Sequence, residues 1–245
     1  MNKFVLAIPL LNEKKNLNNL FNSLLKSHLI NDKKCKYIIF INDGSTDDTN
    51  LFLKNNIHKS KKFIKLKHKK NLGYGAALKT AIKFAKRKVT YIVFIDSDLT
   101  NPIIDIKKIN IFMKKNVDFI QGNRYKKDLS GVDYNRRIIG TIGNYISRLL
   151  MNMKITDYTS GFRAVKLNFY FKINLIEDDF SIIMEEKYKL KRYIKTISEF
   201  PTKLSTRKSK IGKSSFNYSF KLILKYLYYC VASFFINNNY LKKID

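Results

Sequence analysis

The sequence predicts an α/β fold with a mainly parallel central sheet and helices on both of its faces. Three observations support this fold class. Short apolar runs alternate with amphipathic helical patterns along the first half of the chain. The runs contain almost no polar residues, which is typical of parallel strands buried on both faces. Polar side chains follow several runs immediately, as they do where strands open onto a ligand site.

Five strands are predicted in residues 1 to about 124, with a helix in each interval between them. In order along the chain, the strands are KFVLAIPL, KYIIFIN, KFIKL, YIVFID and VDFIQGN. The helices are NEKKNLNNLFNSLLKS, DDTNLFLKNN, YGAALKTAIKFAKR and IIDIKKINIFMKK. Leu17, Leu20, Phe21 and Leu24 recur at helical spacing in the first of these helices.

Polar residues at the ends of four strands predict where the ligand binds. The four sets are Asn12 and Glu13, Asn42 and Asp43, Asp96 and Asp98, and Asn123 and Arg124. In open α/β sheets, ligands bind beyond the carboxyl ends of the strands. We therefore expect all four sets to converge on one edge of the sheet.

The second half of the chain continues the alternation less clearly. Residues 135–152 are predicted to form a helix, and the segment KITDYTSGFRAVK after it is turn-rich. A helix around FSIIMEEKYKLKR and a strand, IKTISEFP, come next. The loop TKLSTRKSKIGKSS is polar and basic, and we expect it to become ordered when an anion binds.

We divide the chain into one α/β domain, residues 1–215, and a C-terminal amphipathic helix, residues 216–245. The apolar run from Tyr226 to Ile236 is about half of the ~20 residues needed to span a bilayer, so a spanning helix is not expected. Two placements are open for this helix. It packs on the core, or it lies in a membrane interface with Tyr and Phe at the headgroups.

The formal net charge is +29, from 48 Lys and Arg against 19 Asp and Glu. A charge of this size is common in proteins that bind nucleic acid or anionic membranes. Most of the cations are Lys scattered through a chain rich in Asn and Ile, and we attribute most of the charge to solvated faces. Cys35 and Cys230 are too few and too far apart for a disulfide framework, which fits a reducing compartment.

The stretch YIVFIDSDLTNP places Asp96 and Asp98 at the end of an apolar strand. Each carboxylate raises the cost of ionising the other unless a cation is present. Carboxylate oxygens are the ligands that Mg²⁺ and Mn²⁺ prefer, and substrate phosphates commonly complete the coordination. Two interpretations are open: a divalent metal site, or a pair of aspartates that caps the helix beginning near Pro102.

Several motifs occur together in a fixed order: IPLLNEKKNL, INDGSTDDT, NLGYGAALKTA, FIDSDLTNP and GNRY. This order closely resembles glycosyltransferase family 2, whose members are inverting enzymes with the GT-A nucleotide-sugar-binding fold. The later motifs ITDYTSGFRAVK and EFPTKLSTRKSKIGKSSF resemble the polyprenyl-phosphate branch, which includes dolichyl-phosphate mannose synthase. The resemblance covers about residues 3–216. It implies metal-dependent transfer of a hexose from a GDP- or UDP-linked sugar to dolichyl or undecaprenyl phosphate.

The same resemblance implies roles for individual residues. Around the base and ribose of the donor it places Pro9, Asn12, Glu13 and Asp43. Asp96 and Asp98 would bind the diphosphate through Mg²⁺ or Mn²⁺, with Asp98 the firmer ligand. The acceptor phosphate would be surrounded by Arg124, Arg136, Arg137, Arg207, Lys213 and Ser214, and the residues closest to catalysis would be Asp98, Arg124, Arg137 and Arg207. Asp157, Ser160 and Gly161 would shape the sugar and acceptor side.

The chain departs from the family pattern at four positions. Leu11 replaces a Tyr, Asn42 replaces the first carboxylate of an Asp-Asp pair, Thr100 replaces a Gln near the metal, and Ser215 replaces a Lys. These changes affect donor recognition more than the chemical step. The identities of the base and the sugar are therefore left open.

The chemistry implied for a phosphate acceptor needs no general base. A phosphate monoester has a second pKa of about 6 and is already a nucleophile near neutral pH. This agrees with the position of His28, His58 and His68 outside the motifs, and we expect all three at the surface. The alternative acceptor is a sugar hydroxyl of a glycan or lipid-linked saccharide, which needs a base, and Asp157 is the candidate.

A lipid-phosphate acceptor lies in a membrane whose inner surface is anionic. We therefore expect a peripheral protein on the cytoplasmic side, held by its basic residues and C-terminal helix or by a partner that supplies an anchor. Nucleic acid is not expected as a partner, because a basic nucleic-acid-binding or membrane-binding protein without enzymatic activity leaves the ordered motifs unexplained.

Overall fold

The computed structural model describes residues 2–86, 88–125, 134–203 and 219–241, with the backbone alone for 134–136 and 237–241. The strands are β1 (Phe4–Leu10), β2 (Cys35–Asn42), β3 (Phe63–Lys67), β4 (Tyr91–Phe94), β5 (Phe119–Asn123), β6 (Arg163–Lys166) and β7 (Ile197–Pro201). The α-helices are α1 (Lys14–Leu25), α2 (Thr49–Asn56), α3 (Tyr74–Ala85), α4 (Ile106–Lys114), α5 (Tyr134–Met151), α6 (Ile182–Leu190) and α7 (Phe220–Leu241). Short 3-10 helices cover His28–Ile30, Ile57–Lys59, Ile103–Asp105 and Leu167–Phe171.

The strands form one sheet in the order β3-β2-β1-β4-β6-β5-β7. β1 pairs in parallel with β2 and β4, β2 pairs in parallel with β3, and β5 pairs in parallel with β7. β6 is antiparallel to both of its neighbours, β4 and β5, so the other six strands all point in one direction. The predicted α/β class with a mainly parallel sheet is confirmed.

β6 is the strand that sequence reasoning missed. From its sequence, RAVK belongs to a turn-rich segment, whereas in the structure Ala164 pairs with Val93 on one side and Ile120 on the other. Four residues are too few to show a periodic pattern. The strand is defined by its two neighbours, which are distant in sequence.

Both faces of the sheet are covered, which explains the apolar runs. In β2, Ile38 and Phe40 belong to one core, while Ile39 and Ile41 belong to the other. The first core packs against α1, α2 and α4 through Leu17, Phe52 and Ile106. The second packs against α3, α5, α6 and α7 through Ala77, Met151, Ile183 and Tyr229.

One face of α7 packs on the rest of the protein. Cys230 Sγ lies 3.4 Å from Ser147 Oγ of α5, and Lys225 Nζ donates to Asp179 at 2.7 Å and also to Glu177. Of the two placements, packing on the core is therefore observed for this face. Within the described ranges, no helix is long and apolar enough to cross a membrane. The predicted domain boundary at 215/216 lies outside the described residues.

Candidate active site

The ends of the strands place the predicted polar residues together. Because β1, β2, β4 and β5 point the same way, the residues that follow them lie at one edge of the sheet. β6 runs in the opposite direction, and its first residue, Arg163, pairs with Phe94 at the end of β4. Residues 156–162 therefore reach the same edge, which we call the carboxyl edge. The predicted convergence is confirmed.

Asn12 joins the loops that follow β1 and β2. Its Oδ1 accepts the backbone N–H of Thr46 at 2.8 Å, and its own N–H donates to Ser45 Oγ at 2.9 Å. The backbone φ of Asn12 is 55°, in the left-handed region that Asn tolerates better than most residues. The N–H of Glu13, which is buried, donates to Thr49 Oγ1 at 2.9 Å. These bonds fix the two loops against each other.

Pro9 and Asn42 lie beside these loops. Pro9 pairs with Ile41 of β2, beyond the point where β1 stops pairing with β4, so its missing N–H costs no bond to β4. Asn42 is fully buried, and its Oδ1 accepts the N–H of Ser45 at 3.0 Å. Its Nδ2 has no hydrogen-bond partner among the described residues.

The buried carboxylate of Asp43 holds the glycine-rich loop that precedes α3. Its oxygens accept the backbone N–H groups of Leu72 at 2.9 Å and Gly73 at 2.8 Å. Oδ1 also lies 2.6 Å from His68 Nδ1, and His68 Nε2 lies 2.8 Å from Thr80 Oγ1. The side chain of His68 is only 10% exposed, so the prediction of a surface residue is wrong for His68.

The other two histidines, His58 and His28, differ in how exposed they are. His58 is exposed, as predicted. His28 is half-buried, and both of its ring nitrogens are buried without a hydrogen-bond partner in the described part of the chain, so the surface prediction holds only in part for His28. Burial and then the nearby Lys107 lower the pKa of His28. Neither residue lies among those of the carboxyl edge.

The glycine-rich loop is shaped for packing rather than as a phosphate cradle. Its sequence resembles a phosphate loop, yet the N–H of Gly75 donates to the carbonyl of Asp178 at 2.6 Å, and that of Ala76 to the same carbonyl at 3.3 Å. Gly73 has a φ of 104°, and a Cβ there would lie 2.3 Å from that carbonyl oxygen. The glycines therefore allow the segment before α6 to approach the start of α3.

Asp96 and Asp98 form the acidic part of the carboxyl edge. Burial and then the charge of Asp98 raise the pKa of Asp96 to about 6, while Arg124 and Arg163 act in the opposite direction. Tyr74 donates its hydroxyl to Asp96 Oδ1 at 3.4 Å. A Cβ at position 161 would lie 3.2 Å from both carboxylate oxygens of Asp96, so Gly161 allows this close approach.

The carboxylate pair fits a divalent cation. Among the described residues, no group of three His, Cys, Asp or Glu side chains is placed to hold a metal. Two mutually repelling carboxylates suit a cation whose other ligands come from substrate phosphates and water. The N-cap residue of the 3-10 helix at Ile103 is Pro102, which makes no side-chain cap bond. Asp98 instead accepts two hydrogen bonds from Thr100, before that helix begins.

Thr100 supports Asp98 directly. Its hydroxyl donates to Asp98 Oδ1 at 2.7 Å, and its backbone N–H donates to the same oxygen at 3.0 Å. Thr100, one of the four residues that depart from the family pattern, therefore contributes to the carboxylate site by orienting Asp98.

Arg124 and Asp157 form a clamp on the other side of the carboxyl edge. Arg124 donates through Nε to Oδ2 and through Nη2 to Oδ1, both at 2.8 Å, and its backbone N–H donates to Oδ2 at 3.1 Å. Nη2 also donates to Thr159 Oγ1 at 2.7 Å. Burial alone would raise the pKa of Asp157, but Arg124 lowers it below its ordinary value. Asp157 is thus an ionised anchor for Arg124 and poorly suited to act as a general base.

Sequence reasoning missed a buried ion pair behind the carboxylates. Arg163 is fully buried, and its guanidinium pairs with Glu186, which also accepts the hydroxyl of Tyr170. The guanidinium lies over the ring of Phe94, 4.6 Å from its centroid. Arg163 occurs in the motif TDYTSGFRAVK, but nothing in that motif indicates that its partner is on α6.

The remaining predicted residues are only partly described. Arg137 is exposed near the start of α5. The side chain of Arg136, and Arg207, Lys213, Ser214 and Ser215 entirely, lie outside the described residues. Ser160 is buried beside Gly161 at the carboxyl edge.

A buried, mostly parallel sheet with a carboxylate pair and an anchored arginine at its carboxyl edge defines the class of GT-A glycosyltransferases. The chain belongs to glycosyl transferase family 2, whose family model matches residues 5–172. It is therefore a glycosyltransferase.

Among the relatives that are similar in sequence are the following two proteins. A UDP-N-acetylglucosamine–dolichyl-phosphate N-acetylglucosaminyltransferase of Methanococcus voltae is 30% identical over 176 residues, covering 65% of this chain and 67% of the relative. An uncharacterized protein of Methanocaldococcus jannaschii is 27% identical over 182 residues, covering 67% of this chain and 72% of that protein.

Solved structures share the fold. Glucosyl-3-phosphoglycerate synthase of Mycobacterium tuberculosis, in complex with Mg²⁺ and UDP, matches with a TM-score of 0.64 at 15% identity, over 94% of this chain and 79% of that one. Residues 1–349 of S. aureus TarS, in complex with UDP-GlcNAc, match with a TM-score of 0.62 at 17% identity, over 95% of this chain and 71% of that one.

Proposed function

We propose that this protein transfers a hexose, with inversion and with the help of a divalent metal, from a nucleotide sugar to a polyprenyl phosphate. The observation that carries the proposal is the meeting of opposite charges at the carboxyl edge. Asp96 lies close enough to Arg124 for the charge of the guanidinium to lower the pKa of Asp96, against the effects of burial and Asp98. The two carboxylates suit a metal-bound diphosphate, and Arg124 suits the phosphate of the acceptor.

The donor side consists of Pro9, Asn12, Glu13 and Asp43 with the carboxylate pair. Asp96 and Asp98 would hold Mg²⁺ or Mn²⁺, which neutralises the charge that develops on the leaving diphosphate. The Methanococcus voltae relative is named for a UDP-sugar, and both solved neighbours hold UDP or UDP-GlcNAc. We therefore propose a UDP-linked sugar ahead of a GDP-linked one.

The acceptor side positions a nucleophile that needs no base. Asp157 is fully buried and receives three hydrogen bonds from Arg124, so its carboxylate orients a guanidinium instead of accepting a proton. The phosphate oxygen would attack the anomeric carbon, and the bond to the nucleoside diphosphate breaks as that group leaves. Arg137 and, in the loop outside the described residues, Arg207, Lys213 and Ser214 complete this proposed phosphate site.

An apolar surface on α5 and α7 supports a lipid acceptor. Large side chains on α7 are exposed at helical spacing, and α5, against which α7 packs, exposes a second such stripe. Exposed apolar stripes of this kind mark membrane or partner surfaces. We propose peripheral binding to the cytoplasmic side of a membrane through these stripes, assisted by the basic charge or by an anchoring partner. The stripes are Phe220, Leu224, Leu227, Tyr228, Val231 and Phe235 on α7, and Ile138, Ile142, Tyr145 and Leu149 on α5.

The test is a panel of UDP- and GDP-sugars with Mn²⁺ and a short polyprenyl phosphate, with lipid-linked sugar measured as product. We expect one donor to give a product that is lost when the metal is chelated. The absence of product with every donor would overturn the proposal.

The second candidate is transfer to a sugar hydroxyl of a glycan or lipid-linked saccharide. A comparison of polyprenyl phosphate with the matching polyprenol separates the two, because the alcohol lacks the phosphate that Arg124 is proposed to bind. Equal transfer to both would contradict a phosphate acceptor.

A further inference from the structure

Glu199 of β7 connects the two chain segments that make up the Arg124 clamp. Its Oε1 accepts the backbone N–H groups of Thr156 at 2.7 Å and Asp157 at 3.2 Å. Its Oε2 accepts Asn123 Nδ2 at 3.0 Å and Thr156 Oγ1 at 2.8 Å. One carboxylate thus receives four hydrogen bonds from residues that are distant from it in sequence.

The residues that donate to Glu199 lie next to Arg124 or bind it. Asn123 immediately precedes Arg124, and Asp157 holds the guanidinium of Arg124 in a two-point contact. The backbone N–H of Arg124 also donates to Asp157 at 3.1 Å. Glu199 therefore holds the side chain of the residue that precedes Arg124 and the backbone of the residue that binds its guanidinium.

We propose that Glu199 is a positioning residue that fixes Arg124 for the acceptor phosphate. This inference rests on the proposed function for its catalytic consequence, although the contact with the clamp can be tested without activity. A guanidinium binds phosphate well only in a defined orientation, because its donors form a rigid fork. Without Glu199, Arg124 and Asp157 can still pair, but the pair is no longer held against the end of β5.

Asp118 provides a matched control. It lies at the opposite edge of the sheet, where its carboxylate accepts the backbone N–H groups of Lys195 at 2.9 Å and Thr196 at 3.0 Å. It also pairs with Lys166 at 2.8 Å. Asp118→Asn therefore weakens a carboxylate contact that joins the same two regions, β5 and the start of β7, far from Arg124.

The kinetic test uses the full chain with a UDP-sugar, Mn²⁺ and a polyprenyl phosphate. We expect Glu199→Ala to raise KM for the polyprenyl phosphate by about 10- to 100-fold, with KM for the donor unchanged. Glu199→Gln, which keeps one carbonyl oxygen, restores part of the loss, and Asp118→Asn leaves both KM values unchanged. A matching rise in KM for donor and acceptor would overturn the proposal.

A double-mutant cycle tests whether the effect passes through Arg124. In an Arg124→Lys background the fork is already lost, so Glu199→Ala should cause little further change in KM for the acceptor. Independent, multiplying effects of the two substitutions would contradict the proposal.

A spectroscopic measurement separates this inference from the proposed function. In protein labelled with ¹⁵N-arginine, the Nε–H signal of Arg124, assigned by its absence in Arg124→Lys, should exchange slowly because it donates to Asp157. We expect Glu199→Ala to accelerate that exchange and Asp118→Asn to leave it unchanged. Unchanged exchange in Glu199→Ala would refute the positioning role, whereas a wild-type protein without transfer activity would refute only the proposed function.

Discussion

The acidic and basic side chains at the carboxyl edge are oriented by different kinds of partner, one local in sequence and one distant. Asp98 is oriented by a neighbour two residues away, since Thr100 donates to it twice. Arg124 is oriented by Asp157, which comes from a distant part of the chain. Partial burial and then the charge of Asp98 raise the pKa of Asp96. A cation bound to the pair would relieve that repulsion.

Asp98→Asn tests the carboxylate pair. The amide oxygen can still accept from Thr100, so the fold should be retained, but one of the two charges that suit a metal is lost. We expect product formation to fall by about 10²- to 10³-fold, with a higher Mn²⁺ concentration needed for half-maximal rate. Asp32→Asn, at the opposite edge of the sheet, is the control. A normal rate and normal Mn²⁺ dependence in Asp98→Asn would contradict the proposed metal site.

Lys187 gives a prediction about stability and pH. It is fully buried, and burial followed by the charge of Arg163 lowers its pKa from 10.5 to about 7. Between these two values the unfolded chain binds more protons than the folded protein, so the contribution of Lys187 to stability becomes more favourable as the pH rises. Lys187→Met removes the unfavourable free energy of burying a charged amine, and it should raise the free energy of unfolding at pH 7 by about 1–4 kcal/mol.

Urea unfolding of Lys187→Met and wild type at pH 7 and pH 10 provides the measurement. The difference in the free energy of unfolding between Lys187→Met and wild type should be smaller at pH 10. At that pH Lys187 is neutral in the folded protein and partly neutral in the unfolded chain. Lys195→Met, at an exposed position, is the control. A less stable Lys187→Met at pH 7 would show that its charge is needed by Glu186 and Asp157.

At the scale of elements, the segment between β6 and α6 links the donor side to the C-terminal helix. Its Asp178 carbonyl accepts the first amides of α3, and the ring of Phe180 stacks on Tyr74 with centroids 4.5 Å apart. From the other side, Tyr226 of α7 donates its hydroxyl to the carbonyl of Phe180 at 3.2 Å. α7 is therefore attached to the structure that positions Asp96 while its outer face stays exposed.

Substitutions on that outer face test the membrane proposal. Tyr228 and Phe235 are 64% and 60% exposed, so Tyr228→Ser with Phe235→Ser should leave the free energy of unfolding nearly unchanged. Each large apolar side chain contributes about 1.5–3 kcal/mol when it leaves water, so binding to anionic phospholipid vesicles should weaken by at least tenfold. Leu51→Ser, at an exposed position of α2 behind the other face of the sheet, is the control. Equal vesicle binding by the double variant and wild type would contradict the proposal.

At the scale of the whole molecule, much of the fold and part of the site are predictable from sequence. The strands β1, β2 and β4 are visible because burial on both faces removes nearly all polar residues from them. The edge strand β3 is less buried and keeps Lys65 and Lys67. The residues that follow β1, β2, β4 and β5 meet because parallel strands end at one edge. β6 is different, since its four residues carry no pattern and its position depends on β4 and β5.

The sequence by itself determined the fold class, the carboxylate pair and the family, because periodicity and ordered motifs are local properties of the chain. Only the tertiary structure decided that His68 supports Asp43, that the glycines of the loop before α3 face Asp178, and that Asp157 anchors Arg124. It also brought Glu199 to the backbone of Asp157, 42 residues away in sequence. Hydrogen bonds and pKa shifts of this kind depend on burial and on partners from distant segments, which no local pattern records.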